Sequence, residues 1–359
     1  MKIHEKFMKK CLSLAKLGSG KTKSNPLVGC VIVYKGKIIS EGYHERYGGN
    51  HAEVNAIQKV ENKKILSECT LYVNLEPCYH YGKTPPCVNM IMHHKIKHIV
   101  IGTTDPFEEV NGNSITKLKT QAQVTLNVLK DECIKINLKY FINIVFKRPY
   151  IILKWAESSD GFINDKTAGI TKISSKDSTI LTHYWRSQID GIMVGTNTVI
   201  CDNPKLTTRK IAGNNPIRIT IDTKNRLKNK NLNIFNNDAE TIIFYNGRSK
   251  KNNNIHYINI KELYNKYNKL DILKYLTKIL KERGVNSLLI EGGRELLQNF
   301  IDINLWDEVR IFHNSKMQLK QGIPSPRIKI KNFNQENIDY DILKISFNNK
   351  VKNQIEQSF

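Results

Sequence analysis

Hydrophobic and polar positions in the first 145 residues alternate between the spacing of helices and the short apolar runs of strands. Apolar residues between positions 8 and 15 recur at helical spacing and predict an amphipathic helix. Two apolar runs, 28–33 and 38–42, flank a Tyr-Lys-Gly-Lys turn and predict a β-hairpin. The elements predicted after it are a helix from about His51, a strand at 70–73, a helix from Cys87 and a strand at 96–102. This alternation is typical of an α/β layered domain.

A second domain is predicted to begin at the Lys-Arg-Pro segment that ends at Pro149. Proline blocks the continuation of a helix, and the apolar run 150–153 restarts the strand pattern. We therefore assign residues 1–146 to one domain and 147–359 to another, since 359 residues exceed one ordinary core.

The second half repeats the alternation of strands and helices. The strands predicted from apolar runs lie at 191–195, 217–221, 241–245 and 287–290, with Trp185 in a helix before the first. Residues 247–267 are polar and weakly patterned, which predicts a loop-rich insertion. The apolar residues predicted to belong to closing strands are Ile328, Ile330, Phe333, Ile342 and Leu343.

Composition narrows the class of protein. The chain is 40% hydrophobic and 25% charged, which is typical of a globular protein. It has no uncharged apolar stretch of about 18 residues, and residues 1–10 are charged, so neither a membrane span nor a signal peptide is expected. Seven cysteines spread along the chain favour free thiols over a disulfide framework. We therefore expect a cytoplasmic protein.

The formal net charge of +23 raises the question of a nucleic-acid partner. The lysines are scattered among asparagines and isoleucines, in runs such as 228–230 and 250–254, so a drift in composition explains the charge at least as well. We do not expect nucleic acid as a partner, although a nucleic-acid base deaminase stays an alternative. Whatever the origin of the charge, its positive electrostatic field would attract small anionic substrates.

The most specific chemical pattern is a His-Ala-Glu segment that begins at His51, followed by Cys78 after a proline and then by Cys87. One imidazole and two thiolates leave a fourth tetrahedral position for water, which is typical of a catalytic zinc. Glu53 does not ligate the metal and is placed to move protons as general acid and base, as in zinc deaminases. The sequence therefore predicts one zinc ion per chain, and we expect the other five cysteines to be structural.

Eight residues separate Cys78 from Cys87, whereas general nucleoside deaminases space these cysteines as C-x-x-C. Residues 77–87 resemble the P-C-x-H-x-G-[KR]-T-P-P-C segment of riboflavin-biosynthesis deaminases, and 25–29 resemble their N-P-x-V-G segment. The resemblance implies a cytidine-deaminase-like α/β/α domain. The residues that it places at the substrate are Asn25, His44, His80 and Lys83, with Lys83 near polar or phosphate groups.

One segment departs from the family. The pattern D-P-N-P-x-V-x-G-x-G appears at 105–114, with Phe107 in place of the asparagine and Ser114 in place of the second glycine. The substrate contact that the family makes through the asparagine is therefore not carried over to Phe107.

In the second half, residues 288–297 read as a strand, a glycine turn and a helix, which can hold a phosphate. Such turns are also common without a ligand, and no G-x-G-x-x-G fingerprint of a Rossmann fold exists. The half resembles the reductase domain fused to the riboflavin deaminase, in segments such as Trp185-Arg186-Ser187 and 195–207. The resemblance implies a dihydrofolate-reductase-like α/β domain that uses NADPH.

By this resemblance, two sets of residues form the reductase site. The NADPH set is Ala156, Thr198, Asp202, Thr223, Gly293, Arg294 and Glu295, and the substrate set is Arg186, Leu206, Arg209 and Glu291. Guanidinium groups suit phosphate oxygens. Where the family shows S-x-W-I-[ST], this chain has Ile170 and Lys172 in place of the serine and the tryptophan. A deaminase with an impaired reductase half therefore stays open.

The resemblance implies two successive reactions of riboflavin biosynthesis. The first is zinc-dependent deamination of 2,5-diamino-6-(5-phosphoribosylamino)pyrimidin-4(3H)-one. The second is NADPH-dependent reduction of the ribose of 5-amino-6-(5-phosphoribosylamino)uracil to a ribityl chain. The expected partners are these phosphoribosyl pyrimidines, and whether the chain forms a homo-oligomer stays open.

Overall fold

The structure is a computed structural model that describes residues 2–81, 85–165, 171–228 and 231–358. The described chain forms two compact units, one within Met1–Phe146 and Lys352–Phe359 and the other within Lys147–Val351. The functional limits 1–146 and 147–359 stay a prediction. Within the described ranges, no helix is long and apolar enough to cross a membrane.

The first unit is built on a five-stranded sheet. Its elements are α1 (Lys2–Lys16), β1 (Gly29–Tyr34), β2 (Lys37–Tyr43), α2 (Ala52–Lys59), β3 (Thr70–Val73), α3 (Cys87–His93), β4 (His98–Ile101), α4 (Asn113–Leu118), β5 (Gln123–Thr125), α5 (Lys130–Ile136) and α6 (Leu138–Val145). The strand order is β2-β1-β3-β4-β5. β1 is antiparallel to β2 and β3, whereas β3, β4 and β5 are parallel. The predicted hairpin and the strand at 70–73 are confirmed.

Strand β1 shows why helices cover both faces of this sheet. Successive side chains of a strand point to opposite faces. Cys30 and Ile32 pack in one core with residues of α2, α3 and α4, whereas Val31 and Val33 pack in another with residues of α1. All four β1 side chains are buried, so the sheet requires a layer of helices on each side. The predicted α/β layering is confirmed.

The second unit contains the remaining elements. They are β6 (Tyr150–Ser158), β7 (Phe162–Asn164), α7 (Lys176–Ser187), β8 (Gly191–Met193), α8 (Thr196–Asp202), β9 (Ile217–Asp222), β10 (Thr241–Tyr245), β11 (Lys250–Asn252), β12 (Ile255–Asn259), α9 (Lys261–Lys266), α10 (Lys269–Glu282), β13 (Ser287–Ile290), α11 (Arg294–Asp302), β14 (Glu308–Asn314), β15 (Ile323–Pro324), β16 (Asn334–Ile338), β17 (Asp341–Phe347) and the start of α12 (Asn349–Ser358).

Ten of these strands form one sheet in the order β11-β12-β10-β9-β8-β13-β6-β14-β17-β16. The run from β12 to β14 is parallel, and β11, β17 and β16 pair antiparallel to their neighbours. The carboxyl ends of β9, β8, β13 and β6 therefore meet along one edge of the sheet. Ligands of open α/β sheets bind outside such an edge.

Two predictions for this unit are wrong. Residues 247–267 are not a loop-rich insertion, because they form β11, β12 and α9. β12 pairs in parallel with the buried strand β10, so its backbone hydrogen bonds compensate for a weak apolar pattern. Ile328, Ile330 and Phe333 lie outside strands and pack instead against the core as part of an irregular segment. The closing strands are β16 and β17, and β17 contains the predicted positions 342 and 343.

A buried ion pair joins the beginnings of β6 and β14. Arg148 donates from Nη1 and Nη2 to the two carboxylate oxygens of Asp307, over 2.6 and 2.7 Å. The backbone N–H of Ile151 donates to the same carboxylate over 2.7 Å. Arg148 and Asp307 are both buried, so removal of either one breaks a buried ion pair, which costs more than loss of an exposed pair.

We expect Asp307→Ala to lower the free energy of unfolding of the second unit by about 3–5 kcal/mol, because it breaks this buried ion pair. All three tryptophans (155, 185 and 306) lie in this unit, so their fluorescence in a urea titration reports its unfolding. The control is Lys274→Ala, which removes an exposed pair with Asp271 and should cost less than about 1 kcal/mol. Equal effects of the two substitutions would contradict the prediction.

Candidate active sites

Three candidate metal ligands converge in the first unit. His51 immediately precedes α2, Cys78 lies in the loop after β3, and Cys87 is the first residue of α3. The Nδ1 atom of His51 lies 3.4 Å from Sγ of Cys78 and 3.3 Å from Sγ of Cys87. Ligand bonds of tetrahedral zinc place a nitrogen and a sulfur about 3.5 Å apart. The three side chains therefore fit one zinc ion and leave the fourth position open.

The surroundings of Cys78 favour its thiolate. Hydrogen bonds from Cys87 and His51 lower the pKa of the Cys78 thiol to about 4, against the opposing effect of its burial. The backbone N–H of Cys87 also donates to Sγ of Cys78 over 3.2 Å. Thiolates are the form in which cysteine binds a metal. Cys78 is thus prepared for ligation as a thiolate, whereas the hydrogen bond with Cys78 and burial raise the pKa of the Cys87 thiol.

Glu53 lies beside the triad, in the first turn of α2, and is buried. Burial, reinforced by the charge of Cys78, raises the pKa of this carboxyl to about 7. A carboxyl group with a pKa near neutral can both accept and return a proton. Glu53 and the ligands His51 and Cys78 line one cavity of about 330 Å³.

The predicted substrate residues Asn25, His44 and His80 line the same cavity. Nδ1 of His44 lies 3.0 Å from the backbone carbonyl of Asn50, so it carries the proton and donates. Nε2 then accepts from the side-chain amide of Asn25 over 3.1 Å. Burial lowers the pKa of His44, which agrees with a neutral ring. Lys83, the fourth predicted residue, lies outside the described residues.

Phe107 occupies the cavity wall where the family has an asparagine. Its ring makes an edge contact with His80, with centroids 5.3 Å apart. Nδ1 of His80 is buried and has no hydrogen-bond partner among the described residues. An apolar ring has therefore replaced a polar group beside an imidazole that faces the cavity.

A carboxylate that no sequence motif marks holds the loop of Phe107 in place. Glu76 is buried and accepts four hydrogen bonds from the segment after β4. The donors are the backbone N–H groups of Asp105, Gly112 and Ile115 and the hydroxyl of Ser114. Ser114, flagged as a departure from the family, thus anchors the loop. The only signal in the sequence was an acidic residue two positions before a metal ligand.

Asp105 and Tyr140 form a second pair that the sequence did not predict. The Tyr140 hydroxyl donates to Asp105 over 2.9 Å, and both residues line the cavity. Burial raises the pKa of the Asp105 carboxyl to about 7. The cavity therefore offers a carboxyl group, besides Glu53, that can bind polar atoms of a ligand.

The second unit has a larger cavity, of about 880 Å³, at the carboxyl ends of its parallel strands. The predicted residues that line it are Ala156, Arg186, Thr198, Asp202, Thr223, Glu291, Gly293, Arg294 and Glu295. Leu206 and Arg209 are not among the lining residues. Leu206 is buried against Val199, whereas the backbone N–H of Arg209 donates to Nδ1 of His183. Lys172 lines the cavity, and Ile170 lies outside the described residues.

A largely buried ion pair lines this cavity. Arg186 donates to Glu291 through Nε over 3.0 Å and through Nη2 over 2.6 Å. Burial raises the pKa of Glu291, but the charges of Arg186 and Lys154 outweigh it and lower that pKa to about 2. Lys154 is half-buried, and the desolvation of its ammonium group lowers its pKa. The pair therefore stays ionised and fixes two charges beside a lysine.

The predicted glycine turn closes the cavity between β13 and α11. Gly292 has a φ of 131°, which glycine adopts readily and other residues do not. A Cβ atom at Gly293 would lie 3.1 Å from the hydroxyl of Thr198, so the turn approaches α8 closely. The N–H of Gly195 donates to the carbonyl of Gly292 over 2.9 Å. The backbone segments that follow β8 and β13 therefore meet at the start of α11.

The cysteines outside the triad divide into two groups. Cys11, Cys30, Cys69 and Cys133 are buried, as expected of structural thiols. Cys201 is exposed and lines the second cavity, so the expectation that it is a core residue is wrong.

Comparison with known proteins matches the two halves of the chain to two different domain families. Residues 1–103 match the cytidine and deoxycytidylate deaminase zinc-binding region, and 149–318 match the RibD C-terminal domain. The riboflavin biosynthesis protein RibD of Aquifex aeolicus is 36% identical over 313 residues, covering 86% of each chain. That of Bacillus amyloliquefaciens is 34% identical over 314 residues, covering 86% of this chain and 84% of the relative.

A solved structure extends the similarity to the fold. The diaminohydroxyphosphoribosylaminopyrimidine deaminase/5-amino-6-(5-phosphoribosylamino)uracil reductase of Thermotoga maritima matches with a TM-score of 0.80 and 32% identity. The match covers 96% of this chain and 98% of that one. The predicted cytidine-deaminase-like and dihydrofolate-reductase-like domains are confirmed.

A zinc-binding deaminase fused to a reductase is the class of enzyme that this fold and these two cavities define. Within that class, the chain belongs to the RibD family of riboflavin biosynthesis proteins.

We expect Glu76→Gln to lower kcat/KM for deamination by about 10- to 100-fold, because a carboxamide NH2 must face at least one backbone N–H that now donates. The measurement is ammonia release at several substrate concentrations, together with the zinc content. The control is Glu109→Gln, an exposed acid of the same loop. Loss of zinc in Glu76→Gln, or full activity, would contradict a role in positioning the loop.

Proposed function

We propose that the chain catalyses two successive steps, one at each cavity. The first is hydrolytic deamination of 2,5-diamino-6-(5-phosphoribosylamino)pyrimidin-4(3H)-one, and the second is reduction of the ribose of 5-amino-6-(5-phosphoribosylamino)uracil by NADPH. The observation that carries the proposal is the convergence of His51, Cys78 and Cys87 beside the buried Glu53, in a chain whose second unit holds the Arg186–Glu291 pair.

In the deamination, His51, Cys78 and Cys87 would hold the zinc ion. Zinc, when bound, supplies the Lewis acidity that lets water lose a proton near neutral pH. Glu53 accepts that proton as the water oxygen bonds to C2 of the pyrimidine, and then returns it to the departing amino group. Water is consumed and ammonia leaves, so the step needs no other reactant.

The polar groups that line the first cavity bind the pyrimidine in this proposal. Asn25 and neutral His44 offer an amide and an imidazole in fixed orientation. His80 and Lys83 complete the proposed substrate set, with Lys83 near polar or phosphate groups of the substrate. Asp105 adds a carboxyl group with a raised pKa.

In the reduction, the cofactor set is Ala156, Thr198, Asp202, Thr223, Gly293, Arg294 and Glu295, and the substrate set is Arg186, Leu206, Arg209 and Glu291. NADPH, when bound, supplies the hydride. The hydride goes to C1′ of the ribose, and the ring oxygen that leaves C1′ needs a proton. Lys154, which is half-buried and lines the cavity with Glu291, is the donor that we propose.

Three further properties stay predictions of this proposal. They are a cytoplasmic location, the exclusion of nucleic acid as a partner despite the charge of +23, and the oligomeric state, for which a homo-oligomer stays open.

The zinc site predicts one zinc ion per chain, measured by atomic emission on purified protein. We expect Glu53→Gln to retain the metal and to lower the rate of ammonia release by about 10²- to 10⁴-fold, as for loss of a general acid–base group. Cys87→Ser should lose both metal and activity. Cys201→Ser, which changes a thiol of the second unit, is the control. Ammonia release by Glu53→Gln at the normal rate would exclude this site as the catalyst.

For the reductase half, the deaminated intermediate is mixed with NADPH, and loss of absorbance at the nicotinamide band is followed. The unchanged chain should oxidise NADPH. Arg186→Ala should lower kcat/KM by about 100-fold or more, because it removes a cation and leaves Glu291 unpaired. Arg283→Ala, an exposed arginine after α10, is the control. No oxidation by the unchanged chain would instead support the deaminase with an impaired reductase half.

A further inference from the structure

The loop between α8 and β9 has a backbone conformation that needs support. Its residues 206–209 belong to no helix or strand. Leu206 has a φ of 54°, in the left-handed region that a residue with a Cβ atom adopts only at a cost in energy. Such a conformation persists when contacts from the surrounding structure hold it.

Part of this support comes from the start of the loop and from the segment before β9. The Leu206 side chain is buried in a core with Val199. The backbone N–H of Thr208 donates to the side-chain oxygen of Asn215 over 2.8 Å, and its hydroxyl donates to the carbonyl of Asn214 over 3.0 Å. These contacts fix the beginning and the middle of the loop.

Two residues of α7 hold the loop from the side of the second cavity. His183 and Arg186 are three positions apart, so they lie on one face of the helix. Nη1 of Arg186, which also binds Glu291 through Nε and Nη2, donates to the carbonyl of Thr207 over 3.3 Å. Nδ1 of His183 accepts the backbone N–H of Arg209 over 3.2 Å. The end of the loop is therefore fixed by a histidine one turn away from the ion pair.

His183 can accept this hydrogen bond only as a neutral ring. The proton is on Nε2, because Nδ1 accepts, and a second proton would turn Nδ1 into a donor. Burial lowers the pKa of His183 to about 4. Glu291 opposes this shift, whereas three neighbouring cations reinforce it: Arg186, Arg209 and Lys210. The imidazole is therefore an acceptor at neutral pH.

The loop brings a second guanidinium group towards Arg186. Arg209 is exposed, and desolvation and the charge of Arg186 lower its pKa, against the effect of Glu291. The two guanidinium groups are thus close enough for their charges to interact. Of the five N–H donors of Arg186, three are engaged by Glu291 and Thr207, which leaves two for a ligand. An anion such as a phosphate can accept from both arginines and relieve their repulsion.

We propose that His183 is a positioning residue of the reductase half: it holds the loop 206–209 so that Arg209 stands next to Arg186 and both bind the phosphate of the substrate. The inference rests on the proposed reductase function. His183 acts through the backbone of Arg209 and takes no part in hydride transfer. Its loss should therefore weaken substrate binding and leave the chemical step unchanged.

The first test compares two amides at position 183 in the reduction of the deaminated intermediate by NADPH. His183→Asn places an oxygen where Nδ1 was, since both atoms are bonded to Cγ, so KM for the intermediate should stay within about threefold. His183→Gln places its oxygen one bond further away, so this KM should rise by about tenfold or more. In both variants, kcat and KM for NADPH should change less than about twofold. Tyr184→Leu, at an exposed position of α7, is the control.

Equal KM values for the two amide variants would overturn the positioning role. A fall in kcat as large as the rise in KM would overturn it as well, because it would indicate a general disturbance of the unit.

The second test needs no turnover and uses ribose 5-phosphate as the probe, with binding to the full chain measured by calorimetry. His183→Gln and Arg209→Gln should each raise its Kd by about tenfold or more. The double variant should bind no more weakly than Arg209→Gln alone, because His183 acts through Arg209. Additive losses, or no binding by the unchanged chain, would overturn the inference. An unchanged chain that shows this pattern but oxidises no NADPH would instead overturn the reductase function and keep the role of His183.

Discussion

Both cavities depend on buried side-chain oxygens that accept hydrogen bonds from loop backbone. A loop that leaves a strand carries N–H groups with no ladder partner, and burial makes each unpaired group costly. Glu76 satisfies three such groups and one hydroxyl in the first unit. Asp222 does the same for two backbone N–H groups of the turn after β9. Each of these side chains accepts through both of its oxygens, so the loops that carry the chemistry are held by hydrogen bonds as well as by packing.

The sequence predicted the metal triad because zinc chemistry restricts ligand type, number and spacing. His51, Cys78 and Cys87 come together through elements that the sequence also predicted, such as the strand at 70–73. Glu76 and Tyr140 escaped prediction, since their partners lie 29 to 39 and 35 residues away and no local pattern marks a long-range acceptor. The roles of the individual substrate and cofactor residues stay predictions.

Tertiary pairing explains the errors in the second half. The segment 247–267 looks like a loop because its residues are polar, but β12 gains order from the ladder with β10. Conversely, Ile328, Ile330 and Phe333 are apolar without being in a strand, since an irregular segment can also cover a core. Periodicity reports which side chains are buried and leaves open which backbone partner buries them.

The two edge strands of the large sheet, β11 and β16, are built in a way that disfavours aggregation. An open sheet ends in unpaired N–H and C=O groups that can template a strand of another molecule. Here β11 is only three residues long and exposes Lys250 and Lys251, while β16 exposes four consecutive polar residues, 334–337. Growth of the sheet from one molecule into the next would bury lysine ammonium groups and amides against a like edge. Charge and brevity at the two borders therefore protect a ten-stranded surface from fibre-like stacking.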